Sequence, residues 1–197
     1  MMRMTTRLGA VRQNTQSTNL KKDVSFRLHP REVHPRPDAI PYTKVALERD
    51  LERVHAAWDD CQTDRRRDAI YGYLKAVHDL VRWWSAEGAE VDRARRALRS
   101  RGLLPWPGED VFAAIIRCTA DPARADKRTR SKWSQVLPYV KMEKDDKEPL
   151  ADFVKRKGGI NECNARYGRC LRRLATRRRS IAEFQRRAAR VVIRRIA

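Results

Sequence analysis

Fifteen Lys or Arg residues stand among the last forty-nine positions of the chain, Pro149 to Ala197, against three acids, Asp152, Glu162 and Glu183. That segment carries +12 of the net +20 borne by all 197 residues, while Pro41–Gly102 nets +2 and Leu103–Glu148 nets +1. Clustered cations of this kind displace the counterions condensed along a phosphate backbone. A merely solvated surface mixes both signs instead. Most of these cations are arginines, whose planar guanidinium pairs bidentately with phosphate and with guanine. The composition therefore points to a polyanionic partner, first of all nucleic acid.

Other chemistry finds little footing. Cys61, Cys118, Cys163 and Cys170 form no CxxC pair and have no neighbouring His to complete a zinc set. They read as small core residues of a reduced, cytosolic protein. Cys163 and Cys170 sit two helical turns apart, about 10 Å, too far for a bridge within one helix. The acidic pairs Asp59-Asp60, Glu109-Asp110 and Asp145-Asp146 are adjacent in sequence, so their side chains diverge and suit caps or solvated charges. The repeat His29-Pro30-Arg31 and His34-Pro35-Arg36-Pro37 is extended linker without a rigid platform. No phosphate-cradling glycine loop, nucleophile elbow or metalloprotease helix is present. The expectation is a non-enzymatic protein with no catalytic residues, no metal and no cofactor, a nuclease with scattered carboxylates remaining as the catalytic alternative. No apolar run approaches the eighteen or so residues that span a bilayer, and no membrane partner is expected, the basic C-terminal helix lying on an anionic membrane surface being the alternative.

The elements that would position the arginines are all helical. Residues 1–40 are polar, Pro-rich and unpatterned, with five bases and no acid in the first twenty-two. They read as a disordered basic arm and linker, an organellar transit peptide being the alternative. Leu47, Leu51, Val54 and Trp58 then step at helical spacing, with Pro41 near the first turn. Ile70, Tyr73, Leu74, Val77, Leu80, Val81 and Trp84 make the wide face of a second helix ending at Gly88, with Trp83 at the core's edge. His55 and His78 lie beside these stripes as surface or boundary residues. A third helix around Val91, Ala94 and Leu98 stops at Gly102, so residues 41–120 form a helical bundle. Leu103-Leu104-Pro105-Trp106-Pro107-Gly108 is a proline-rich yet apolar break that should pack on the bundle surface. A short helix follows over Val111, Phe112, Ile115 and Ile116. Asp121-Pro122 offers an N-cap and first-turn proline for the next, which carries Trp133, Val136, Leu137 and Val140 and bends at Pro138.

In residues 121–175, Pro149 opens a short helix with Leu150, Phe153 and Val154 inward, Gly158-Gly159 turns tightly, and Asn161 caps a helix bearing Cys163, Tyr167, Cys170, Leu171 and Leu174. Three helices with a glycine turn between the last two resemble the tri-helical helix-turn-helix DNA-binding fold over about Arg130 to Arg173. The same stretch looks like segments in small proteins of bacterial phages and plasmids. The resemblance implies that the helix from Asn161 to Leu174 enters the major groove, with Asn164, Arg166, Arg169 and Arg173 facing base edges. Lys155, Arg156 and Lys157 would then hold phosphate. Thr176 to Ser180 leads into a basic amphipathic helix over residues 176–197, with Ile181, Phe184, Ala188, Val191, Val192 and Ile196 on one side. Arg177, Arg178 and Arg179, with Arg186, Arg187, Arg190 and Arg194 on the opposite side, are further phosphate contacts. The apolar side would pack on the bundle or on a second subunit in a homodimer.

The expected protein is thus all-α: an N-terminal bundle, a helix-turn-helix-like region and a basic terminal helix. It is expected to be a cytoplasmic, nucleoid-associated DNA-binding regulator or accessory factor of a mobile genetic element. The first alternative is a structured-RNA-binding protein, or a component or inhibitor of a ribonucleoprotein, because arginine-rich helices also serve RNA. A module that binds an acidic protein is the other.

Overall fold

The computed structural model describes the backbone of residues 42–196 apart from positions 65 and 67, and the side chains through Gln185 apart from Phe184. The expected N-terminal arm, Pro41, and the side chains of Arg186, Arg187, Arg190 and Arg194 lie outside the described residues. Seven α-helices and no strand occur among the described residues: α1 Lys44–Thr63, α2 Ile70–Ala86, α3 Glu90–Ser100, α4 Val111–Thr119, α5 Lys127–Glu143, α6 Leu150–Arg156 and α7 Gly159–Ile196. None is long and apolar enough to cross a membrane.

The apolar stripes read from the sequence are the buried ones. Leu47, Leu51, Val54 and Trp58 of α1 face Tyr73, Leu74, Val77, Val81 and Trp84 of α2. α4 is buried on most of its surface, and one continuous core runs from α1 to Cys163 at the start of α7. Its hub is aromatic: Trp58, Tyr73 and Trp133 meet edge to face at 5.2–6.0 Å, which ties α1, α2 and α5 together. The Tyr73 hydroxyl pairs with Thr119 Oγ1 at 2.9 Å, so its buried oxygen is satisfied. His78 belongs to this interior, stacked on Phe112 at 6.4 Å, and is no boundary residue. Burial lowers its pKa against the support of Asp79.

The helix ends follow from local chemistry. Thr43 Oγ1 accepts from Ala46 N to start α1 at 3.1 Å. α3 closes on Gly102 with Leu103 N donating to Leu98 O at 2.8 Å, a six-to-one return that satisfies an end carbonyl. α5 starts later than the Asp121-Pro122 signal suggests. Asp121 instead caps a single turn, accepting from Ala123 N at 2.8 Å, and Ala125 is buried. That anchor breaks the helical direction, and Asp126 caps the true helix by accepting from Thr129 N at 2.6 Å.

Two departures concern α7. The reversal out of α6 is spent on Gly158 and Gly159, with φ of +97° and +89°, a region that L side chains avoid. The helix therefore begins at Gly159, and Asn161 sits in its first turn instead of capping it, with Oδ1 accepting from Lys132 Nζ at 3.1 Å. The second departure is larger. Residues 176–180 do not interrupt the chain, because α7 runs unbroken for 38 residues. Thr176 Oγ1 donates to Arg172 O at 3.1 Å and Ser180 Oγ to Thr176 O at 3.2 Å, so both hydroxyls turn back onto the helix.

Candidate nucleic-acid interface

The cationic residues of the C-terminal region fall into three groups. Those of α6 are paired. Lys155 Nζ lies 2.6 Å from Asp68 Oδ2, and Arg156 makes a two-pronged contact with Glu148 at 2.8 and 2.6 Å. The carboxylates raise the pKa of both cations. Lys157 rests near the Phe153 ring at 5.4 Å. Exposed pairs like these are worth about 0–1 kcal/mol, so a phosphate could replace either carboxylate at little cost.

The second group is the first part of α7. Ile160, Cys163 and Tyr167 pack against the bundle and fix the helix on α5 and α6. Arg166 and Arg169 both reach back to Glu162, at 3.0 and 2.8 Å. That carboxyl is held below its usual range, Arg169 contributing most. Asn164 is half-buried, and its Oδ1 has no hydrogen-bond partner. Three of the four expected base-reading side chains are thus engaged or half-covered within the chain.

The third group differs. From Leu171 to Ile181 every residue is exposed, and no helix among the described residues covers this length. Leu171, Leu174 and Ile181 stand 39, 38 and 48% exposed. Arg172, Arg173, Arg177, Arg178 and Arg179 show no ion-pair partner among the described residues. At about 1.5 Å per residue, positions 171–196 form a rod of roughly 40 Å.

Continuity of the helix creates a pattern that a broken helix would lack. With about 100° per residue, Arg172 and Arg179 lie on one line, and positions 186, 190 and 194 follow in the same register. Leu174 and Ile181 lie on the opposite side. Arg172 is not among the residues expected from the sequence to touch phosphate; the continuous helix adds it to this line. Arg173, Arg177 and Arg178 flank or interrupt the apolar side.

A further cationic feature is also absent from that set. Trp106, in the Leu103–Gly108 loop, carries the Arg117 guanidinium 3.8 Å from its ring centroid, with Lys127 Nζ at 5.9 Å. Arg117 belongs to α4 and Lys127 opens α5, so only the fold assembles this group. The loop was expected to pack on the bundle. Leu103 does so, but Leu104 is 79% and Trp106 52% exposed.

The acidic pairs separate as their adjacency implies. Glu109 turns to Arg117 at 2.7 Å, whereas Asp110 caps α4 by accepting from Phe112 N at 2.8 Å. Asp145 accepts from Lys147 N while Asp146 meets Arg82 at 3.0 Å. Among the described residues no three His, Cys, Asp or Glu side chains gather as a metal site. All four cysteines are free, and burial pushes the Cys118 thiol up to about 12. Comparison of the chain with protein-family models, with curated proteins and with solved structures finds no match.

Proposed function

We propose that the chain is a non-enzymatic nucleic-acid-binding protein, a DNA-binding regulator or accessory factor of a mobile genetic element, whose exposed half of α7 lies along the phosphates. One observation carries this reading. The residues from Leu171 to Ile181 are exposed, and their five arginines have neither cover nor acid partner among the described residues. A helix about 10–12 Å across fits the major groove, which is about 12 Å wide. The line through Arg172 and Arg179 would follow one strand, with Lys155 and Arg156 exchanging their carboxylates for phosphate.

The helix-turn-helix reading of α5, α6 and α7 is favoured by the glycine turn joining the last two. In that arrangement Glu162 must release Arg166 and Arg169 before they reach base edges. Structured RNA is the second reading. It is favoured by the contrast between half-covered Asn164 and the open arginines, since an arginine-rich helix can recognise shape without reading bases.

The test is the salt dependence of binding to a DNA duplex and to an RNA hairpin, for the full chain and for a chain ending at Cys170. Truncation should lower the log–log slope by about 0.9 for each lost phosphate contact, hence by roughly 4–5 if the whole arginine line engages. Duplex preference of the full chain supports DNA, and hairpin preference supports RNA. An unchanged slope on both would show that α7 does not touch the polyanion.

A further inference from the structure

Trp106 is an exposed aromatic ring on a loop that the fold holds rigid. Prolines 105 and 107 flank it, and its backbone N–H donates to Glu109 Oε2 at 3.0 Å. Its carbonyl accepts from Glu109 N at 3.0 Å, so the loop is pinned from both sides of the residue. Glu109 is itself buried and holds Arg117 through Nη1 at 2.7 and 2.8 Å. Arg117 also reaches Leu104 O at 3.3 Å, and its guanidinium carbon lies over the indole 3.8 Å from the ring centroid. An ion pair with a buried carboxylate therefore fixes both the loop and the cation stacked on its tryptophan.

From this geometry we propose that Trp106 is a stacking platform for an unpaired nucleobase, with Lys127 beside it to meet the adjoining phosphate. Arg117 covers part of the ring and half of the residue stays open. Glu109, which accepts from the Trp106 N–H, is neutralised by Arg117, and Lys127 adds a positive charge beside the ring. That charge disfavours a second cation such as a quaternary ammonium, and it favours a flat group joined to a phosphate. Every nucleobase offers such a face, so the platform would accept single strands with little sequence preference. Arg117 is a positioning residue here: it orients the indole and lends it charge from behind. Trp106 is no part of the hydrophobic core, and the side chains set against its ring are the cations Arg117 and Lys127. The proposal rests on the nucleic-acid reading but concerns a different surface from α7 and a different form of the polymer.

The experiment is titration of the full chain, W106L and W106F with an oligothymidylate about ten nucleotides long, and separately with a short blunt DNA duplex, at one salt concentration. Tryptophan fluorescence and affinity are both read. The oligothymidylate should quench the full chain's emission, and W106L should lose that quench and bind about 10-fold more weakly. W106F should keep most of the affinity because it keeps a π-face. Duplex binding should be the same in all three. The proposal is overturned if W106L binds the single strand like the full chain, or if it weakens single strand and duplex equally. Duplex binding without any single-strand binding also overturns the platform, yet leaves the α7 reading standing. Failure to bind either polymer removes both.

Discussion

The two halves of α7 belong to one helix but live in different surroundings. In the first, Ile160, Cys163 and Tyr167 meet the bundle, and Glu162 answers Arg166 and Arg169. In the second, Leu171, Leu174 and Ile181 are exposed, and the arginines between them have no acid partner among the described residues. The amphipathic pattern alone cannot distinguish these cases, because both halves alternate apolar and basic at helical spacing. What separates them is whether the rest of the chain supplies a cover and a counter-charge. A half that lacks both is costly as bare surface, since exposed apolar residues and like charges each disfavour isolation. That contrast is why the proposed reading puts partner binding on the second half and anchoring on the first.

The largest effect that could break this comparison is on stability. Phe153 is fully buried beside Tyr139 at 5.9 Å, under the start of α7. Phe153→Ala should cost about 3–5 kcal/mol, the usual penalty for emptying an aromatic site. Leu174→Ala, on the uncovered half, should change stability by less than about 0.5 kcal/mol. Urea denaturation of both variants checks this. A cost above about 2 kcal/mol for Leu174→Ala would mean that the second half is covered after all, by a second copy, and its concentration dependence would reveal that copy.

Much of the fold was legible because it depends on periodicity. The stripes from Leu47 to Trp58 and from Ile70 to Trp84 are the core as read, and Trp84 is buried while Trp83 stays at the edge. The misplaced boundaries have separate causes. Asp121 and Asp126 both have cap chemistry, and only the burial of Ala125 decides between them. Thr176 to Ser180 was expected to lead into a separate terminal helix, but its hydroxyls bond back to the backbone and α7 continues through them. The candidate site was harder to read. Glu162 in the first turn of α7 was visible, but its hold on two arginines needs the helical geometry at four and seven residues. The Trp106–Arg117 stack joins a loop to a helix eleven positions on, which no local spacing announces.

A smaller effect sharpens the contrast between reading and gripping. Arg166→Ala and Arg169→Ala should reduce discrimination between a preferred site and random duplex by about 1–3 kcal/mol if those residues reach guanine. Glu162→Gln releases both arginines and should steepen the salt dependence by about 0.9 for each that gains a phosphate. If Glu162→Gln leaves the slope unchanged and both alanine variants keep full discrimination, the first half of α7 serves only as an anchor. The helix-turn-helix reading then fails, while the exposed half retains its role.

The smallest effect uses pH, because the two regions should respond to it differently. Arginines stay protonated at all working pH values, so binding through α7 should be flat across the acidic range apart from changes in folding. The bundle is not flat. Burial pushes the Asp110 carboxyl from 3.8 up to about 7, against the pull of the Phe112 and Ala113 N–H groups and of Lys141, with Glu109 adding to the rise. A carboxyl whose pKa is higher in the folded state binds its proton more tightly there. Its contribution to stability is complete below about pH 4 and is lost as pH rises towards 7. His78 acts in the opposite sense, since its lowered pKa makes folding lose stability as pH falls. Asp110→Asn isolates the first effect, because Asn also caps helices and leaves His78 untouched. The stability of wild type relative to Asp110→Asn should fall between pH 4 and pH 7 and then level off, as read from urea midpoints at matched slopes. Asp110 is half-buried, so water tempers the change. A difference that stays constant over that range would place the Asp110 pKa near its ordinary value and remove the only pH contrast between the bundle and the exposed helix that this carboxyl supplies.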